Sequence, residues 1–357
     1  RRDDIPVVRM RHPRNQGPSN HRNVVPPYTS LPRLVSPASK FHSNPPQSVL
    51  QNTMHPPPAS CIHGPEPPGT LVALPDARVY SHHGVIIDSE NRLRTDLSPD
   101  ILPPPSGHRI LDYKSLPDPD SIDAHVYCLS GLSSWKSYFH WLIDAIPRTR
   151  HARLADYDLV YSPLGKPYHT ETLDRLGVPE HKRLEATAQS HFACRQLTAS
   201  SPAPLCHLEP DDRSYLRALF AAPAGKPERR LYISRADAWR RRITNEDALI
   251  ELIEPLGFET ITLAGLTIAE QAALFSEAEA ILAGHGAALT NVIFAPAGCQ
   301  IIELLTSNYI YDYFEKLSKL CGLDYHRHIS PNPPTNPEHP LDLERFRQTT
   351  LPRLKNL

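Results

Sequence analysis

The sequence predicts an α/β protein whose C-terminal half is a doubly wound parallel sheet, and three observations carry that reading. From Leu231 onward, short apolar runs alternate with amphipathic segments. A helix-start signal, the capping box Thr267-Ile268-Ala269-Glu270, opens one of those segments. The apolar run Ala280-Ile281-Leu282-Ala283 leads into a glycine turn, Gly284-His285-Gly286, and then into a stretch with helical potential. Strands that alternate with helices lie parallel and are covered on both faces. Ligands of such sheets bind beyond the carboxyl ends of the strands.

Residues 1–76 are rich in proline, with clusters such as Pro56-Pro57-Pro58 and Pro65-Glu66-Pro67-Pro68. Proline removes backbone donors, so this segment reads as irregular extended chain that does not carry the function. A first domain is expected over 77–222. Its signals are strands at Ala77–Tyr80 and Gly84–Asp88, with Ser89-Glu90-Asn91 as a turn and His82 and His83 in a surface loop. Pro103-Pro104-Pro105 marks an irregular crossing, and His125–Leu129 the next strand.

A helix is predicted from Trp135, with Phe139, Leu142, Ile143 and Ile146 facing the core and Pro147 ending or kinking it ahead of Arg148 and Arg150. His140 and Asp144 are four apart and share one face. That pair suits a general base or a substrate grip, and equally a helix-stabilising contact. Strands at Tyr157–Tyr161 and Phe192–Leu197, helices at Glu171–Gly177 and Asp212–Phe220, and a linker around 222–227 complete the half.

The second domain is expected over 223–330. Its strands are Leu231–Arg235, Phe258–Leu263, Ala280–Ala283 and Gln300–Leu305, with helices opening at Thr244-Asn245 and Thr267. Residues 331–357 form a tail, for which a crossing back is an open alternative.

Composition narrows the function. The net charge of -1 gives no sign of a nucleic-acid or membrane-surface partner, and none is expected. Six scattered cysteines without a CxxC pair read as buried thiols, not a disulfide framework or zinc signature, and no metal is expected. No apolar run reaches the roughly 18 residues of a membrane span. Walker A, GxGxxG, HExxH and GxSxG patterns are absent, and Asp118-Pro119-Asp120 matches a DxD triplet only in a proline-rich loop.

What remains is an anion-binding rim. Arg235 stands at a strand end and Arg240, Arg241 and Arg242 follow, a pattern that suits bidentate phosphate binding or a solvated basic loop. Gly284 and Gly286 let the backbone approach a ligand, and the amides beyond them point out of the sheet edge. Glu303 closes a strand on that rim, as a ribose ligand or a structural acid.

Four ordered motifs resemble glycosyltransferase family 61. They are Phe139-His140-Trp141-Leu142-Ile143-Asp144 with Pro147-Arg148, Tyr232-Ile233-Ser234-Arg235 with Arg241-Arg242 and Asn245-Glu246, Gly284-His285-Gly286-Ala287 with Leu289-Thr290-Asn291, and Ile302-Glu303-Leu304. The resemblance covers roughly 77–327. It implies a GT-B-like pair of Rossmann-like domains with parallel sheets facing across a cleft, 77–222 on the acceptor side and 223–330 on the nucleotide-sugar side. It further implies inverting transfer from a nucleotide sugar, usually a UDP-sugar, to a glycan or glycoconjugate acceptor, with no separate cofactor and no obligatory metal.

On that resemblance Asp144 or His140 is the base, with Asp144 slightly preferred. Arg235, Arg241 and the Gly284–Ala287 turn with His285 hold the diphosphate, and Asn291 and Glu303 position the nucleoside. A nucleotide-sugar epimerase and a non-catalytic glycan-binding homologue are the rival readings. A bacterial cytoplasmic setting is expected, the alternative being a lumenal domain cut from its anchor. A homo-oligomer is open, with the proline-rich start as a packing surface.

Overall fold

Two sheets organise the chain, and the length of each connection decides how the strands pair. The computed structural model describes residues 55–58, 60–62, 67–100, 108–222, 226–238, 240–331 and 338–355. Residues 1–54 of the proline-rich segment 1–76, the Pro103-Pro104-Pro105 crossing and linker residues 223–225 lie outside the described residues. The rest of that segment is not all irregular as expected, since strands occupy Ser60–Ile62 and begin at Leu71. The first sheet has β1 (Ser60–Ile62), β2 (Leu71–Tyr80), β3 (Val85–Ile87), β4 (Arg92–Arg94), β5 (Asp120–Cys128), β6 (Leu159–Ser162), β7 (Arg183–Glu185) and β8 (His191–Ser200). Their spatial order is β1-β4-β3-β2-β8-β5-β6-β7.

The β8-β5-β6-β7 half is parallel, as expected. The other half is not, because β2 runs antiparallel to β3 and to β8, and β3 to β4. Four residues join β2 to β3, too few for a parallel crossover, so the chain must reverse in a hairpin. Ser81 and Gly84 supply the left-handed backbone of that reversal.

Between β5 and β6 the chain forms helix α1 (Tyr138–His140), which widens into a π turn (Trp141–Ala145) and tightens into a 3-10 turn (Ile146–Thr149). Pro147 explains the irregularity. It has no N–H for the Ile143 carbonyl and its ring crowds that group, so the Ile146 N–H reaches back to the Trp141 carbonyl instead. Ser137 caps the start by accepting from the His140 N–H. Helices α2 (Pro167–Arg175) and α3 (Pro210–Leu219) complete this half.

The second sheet is parallel throughout. Its strands are β9 (Arg229–Ile233), β11 (Phe258–Ile261), β12 (Ala278–Gly284), β13 (Gln300–Thr306) and β14 (Asp324–Ser330), in the order β11-β9-β12-β13-β14. A two-residue strand β10 (Arg242–Ile243) lies apart and pairs with β15 (Glu338–His339). The connecting helices are α4 (Glu246–Ile253), α5 (Ile268–Ser276), a 3-10 segment (Ala287–Phe294) and α6 (Tyr313–Cys321). The capping box at Thr267 forms, with both reciprocal bonds to Glu270. Helices α7 (Leu343–Arg345) and α8 (Leu351–Lys355) follow β15. There Leu341, Phe346 and Leu354 bury themselves against Ile243, Leu249 and Leu282, so this stretch of tail covers the second sheet.

Both sheets belong to one unit, residues 51–357. A single apolar cluster includes Tyr127 and Leu142 of the first half together with Ile281, Phe294 and Phe314 of the second. Polar contacts align the seam. Glu171 of α2 accepts from the Ile268 and Ala269 N–H groups at 2.7 and 3.0 Å, a carboxylate at the positive end of α5. Arg213 donates to the carbonyls of Ile293 and Ala295.

His169 links the fold to pH. It is fully buried, with its Nδ1 accepting from the Lys166 N–H and its Nε2 donating to the Ser134 carbonyl, which fixes the neutral tautomer. Burial pushes its pKa down to about 4, well below the ordinary 6.5. Only the unfolded chain takes up this proton between those values. The stabilisation is therefore complete above about pH 6.5 and is lost as pH falls towards 4. Urea unfolding at pH 7 and pH 5 should show a drop of which about 2 kcal/mol disappears in His169→Gln. An equal drop in both chains excludes His169 as its source.

Candidate functional site

The strand order 11-9-12 creates a switch point, because the chain leaves β9 for one neighbour and returns to the other. A parallel sheet opens a crevice there, beyond the carboxyl ends of its strands. A pocket of about 320 Å³ lies at that edge. One wall comes from the second sheet: Arg241 from beyond β9, His285, Gly286 and Ala287 after β12, and Tyr309 and Tyr311 after β13. The other wall comes from the first half: Ser137, Phe139 and His140 of α1, and Cys206 from the loop before α3.

The glycines of the turn make room for a side chain of the protein itself. Arg235 leaves the end of β9 and lays its guanidinium across Gly284 and Gly286. A Cβ built on Gly284 would stand 2.8 Å from Arg235 Cδ, and one on Gly286 would overlap the guanidinium outright. Arg235 spends its donors on backbone, Nε to the Arg241 carbonyl (3.2 Å) and Nη2 to that of Arg240 (2.9 Å). It therefore holds the loop that carries Arg241. Burial, and after it the charge of Arg241, lowers the Arg235 pKa from its ordinary value. Arg241 has a left-handed backbone (φ 56°), lies 4.6 Å from the Tyr309 ring centroid and has a buried Nε without a hydrogen-bond partner.

Two imidazoles reach the pocket, each backed by a carboxylate. His140 Nδ1 is 2.6 Å from Asp144 Oδ2, and the other carboxylate oxygen accepts the Cys206 N–H at 2.8 Å. His285 Nδ1 is 2.5 Å from Glu303 Oε1, and the second Glu303 oxygen accepts from the Tyr325 hydroxyl. Burial, then the charge of Glu303, raises the Tyr325 pKa far above its ordinary value, so the phenol stays a donor. With Nδ1 engaged in each ring, Nε2 is the nitrogen left for a ligand.

The structure thus brings His140, Arg241, His285, Gly286 and Ala287 to one pocket and puts Asp144, Arg235 and Gly284 directly behind them. Three expected ligand contacts need correction: Arg235 stands behind the pocket with Nε and Nη2 on backbone carbonyls, and Asn291 and Glu303 are buried. Asn291 is wholly buried: it accepts from the Tyr138 hydroxyl (2.7 Å) and donates to Gln271 and the Ala288 carbonyl. Glu303 is equally buried and engaged. Neither lines the pocket, because both side chains are satisfied by neighbouring residues.

Sequence reading missed Cys206 and the tyrosines. Alternation at Tyr309, Tyr311 and Tyr313 was a usable signal: Tyr311 and Tyr313 stack with centroids 5.3 Å apart, and Tyr309 and Tyr311 are about 40% exposed. Cys206 offers none, since nothing in its neighbourhood indicates that its loop folds onto α1. Its thiol is pushed up to about 12 by burial and by the charge of Asp144.

The fold and pocket define an α/β protein with a basic, imidazole-lined crevice at the edge of a parallel sheet. Residues 138–302 match the family model described as Glycosyltransferase 61. The stretch contains every site residue above except Ser137, one position before it, Glu303, one position beyond it, and the tyrosines at 309–325. The chain is 38% identical over 82 residues to a beta-1,2-xylosyltransferase of Oryza sativa subsp. japonica, covering 23% of this chain and 14% of that protein. It is 33% identical over 132 residues to protein O-linked-mannose beta-1,4-N-acetylglucosaminyltransferase 2 of Mus musculus, covering 34% of this chain and 22% of that protein. Each match therefore spans less than a quarter of the relative's length. No helix among the described residues is long and apolar enough to cross a membrane.

Steric replacement tests the turn directly. Gly286→Ala should displace the Arg235 guanidinium and weaken binding of inorganic pyrophosphate by roughly tenfold, the worth of one charge-assisted hydrogen bond, measured by calorimetry. Gly165→Ala, with open space around the added methyl, should bind as the parent does. Parent-like binding by Gly286→Ala would remove the turn from the anion site.

Proposed function

We propose that the chain is an inverting, metal-independent glycosyltransferase of GT-B-like architecture. It moves a sugar from a nucleotide sugar, a UDP-sugar foremost, onto a hydroxyl of a glycan or glycoconjugate. The observation that carries the reading is a shared pocket: Arg241 and His285 from the sheet edge line it together with His140 of α1. The match to the glycosyltransferase family model over 138–302 supports the reaction class.

The chemistry follows from that shared pocket. The acceptor hydroxyl gives its proton to His140 Nε2 as its oxygen attacks the anomeric carbon. The bond from that carbon to the diphosphate oxygen breaks on the opposite face. Charge gathering on the diphosphate is met by Arg241 and His285, held in place before the reaction. Asp144 orients the His140 ring and stabilises the imidazolium that forms. Pocket lining therefore favours His140 over Asp144 as the group that takes the proton. Tyr309 and Tyr311 offer flat faces for a ring of either substrate. A cytoplasmic setting, in keeping with the scattered cysteines, is part of the reading.

The test is turnover with UDP-sugars and acceptor glycans in EDTA, alongside UDP calorimetry. His140→Ala should lower kcat by roughly 10²- to 10⁴-fold and leave UDP binding intact. Arg241→Ala should weaken UDP binding about tenfold. Full turnover by His140→Ala removes it from the base role. Conversion of the sugar nucleotide without acceptor identifies an epimerase instead, and failure to bind any nucleotide a non-catalytic homologue.

A further inference from the structure

Beside the pocket, three side chains of different chemistry converge. His140, Asp144 and Cys206 each place a ligand atom within 4.8 Å of the other two, and all three are half-buried. They come from two elements. Helical spacing sets His140 above Asp144, and the Asp144 carboxylate draws in the Cys206 N–H from the loop before α3. Cys206 adopts a left-handed backbone (φ 64°), a conformation that non-glycine residues rarely take, with its N–H on that carboxylate. Cys206 and His140 both line the pocket, so a ligand has access.

The geometry points to a zinc site at His140, Asp144 and Cys206 whose occupation inhibits the enzyme. One thiolate, one imidazole and one carboxylate are a donor set for zinc, with ligand bonds of about 2.0–2.3 Å and a fourth position open to the pocket. Tetrahedral coordination asks the ligand atoms to close by roughly an ångström, within reach of side-chain rotation. The soft sulfur selects zinc and cobalt and rejects magnesium, calcium and manganese, which prefer oxygen.

Binding displaces the thiol proton and replaces the His140–Asp144 hydrogen bond with two bonds to the ion. With Nδ1 on the metal, neutral His140 keeps its proton on Nε2 and cannot accept one from a hydroxyl. Binding of the ion stands on geometry alone. Inhibition rests on the proposed role of His140.

Cobalt(II) reads the site without turnover, because a cobalt–thiolate bond absorbs in the near ultraviolet. The parent chain titrated with cobalt(II) should show that band, and zinc should abolish it. Cys61→Ser, which alters the other partly exposed cysteine, should retain it. Cys206→Ser and Cys206→Ala should both lack it, and Asp144→Asn should weaken zinc binding by on the order of tenfold or more. A parent chain without the band, or a band persisting in both Cys206 variants, overturns the site. If the band behaves as expected yet zinc leaves transfer unaffected, the site stands and inhibition through His140 falls. A band together with no transfer under any condition retains the metal site and rejects the transferase reading.

Discussion

The arrangement of the pocket depends on one buried amide. Asn291 sits in the 3-10 segment behind the glycine turn, and its side chain bonds to three other residues, Tyr138, Gln271 and Ala288. Tyr138 belongs to α1, two residues before His140. This is therefore the contact that registers the helix carrying His140 against the turn carrying His285. Burial, and after it the charge of Glu171, holds the Tyr138 hydroxyl well above its ordinary pKa, so it remains a donor. Losing either partner leaves a buried polar group unpaired, at about 1–3 kcal/mol. Apolar packing of Phe139 against Phe314 brings the halves together. The amide sets their register.

The basic wall is built against the preferences of a protein selected for stability alone. Arg241 sits close enough for its charge to act against that of Arg235, which is largely withdrawn from water. The charge of Asp237 offsets that in part, yet the hydrogen bonds of Arg235 go to the carbonyls of residues 240 and 241. The turn below it has glycine at the two positions where a Cβ would collide with the guanidinium. Arg241 stands at positive φ with one donor unsatisfied. Positive charge offset only in part, strain and missing side chains in one place favour an anionic ligand.

Much of the second sheet was legible in the sequence because its signals are local. The runs that became β9, β11, β12 and β13 alternate with helices, and Thr267 and Glu270 announce a helix in four residues. The i, i+4 placement of His140 and Asp144 likewise survives into three dimensions, even through a π turn. The antiparallel half of the first sheet was not legible, because pairing of β2 with β8 joins residues more than a hundred positions apart. Glu303 and Asn291 carried the right residue types, but direction and burial decided against contact with the pocket. Cys206 reaches it through a loop whose path is set by Asp144, a contact across 62 positions.

The two histidine–carboxylate pairs share a hydrogen-bond pattern and differ in access. His140 and Asp144 retain side-chain exposures of 25% and 12%, whereas His285 and Glu303 retain 9% and none. A ring open to solvent can release an acquired proton to water after each cycle, which a base must do. A ring held by a buried carboxylate, itself tied to Tyr325, is fixed in orientation, as befits a group that holds a leaving anion. On the proposed mechanism the same carboxylate device supports opposite duties for the two rings, with burial deciding which ring has which. That division also explains why only the exposed pair is vulnerable to a metal. Cys206 adds the third ligand beside the open ring, whereas around His285 the second oxygen of Glu303 is already committed to a phenol.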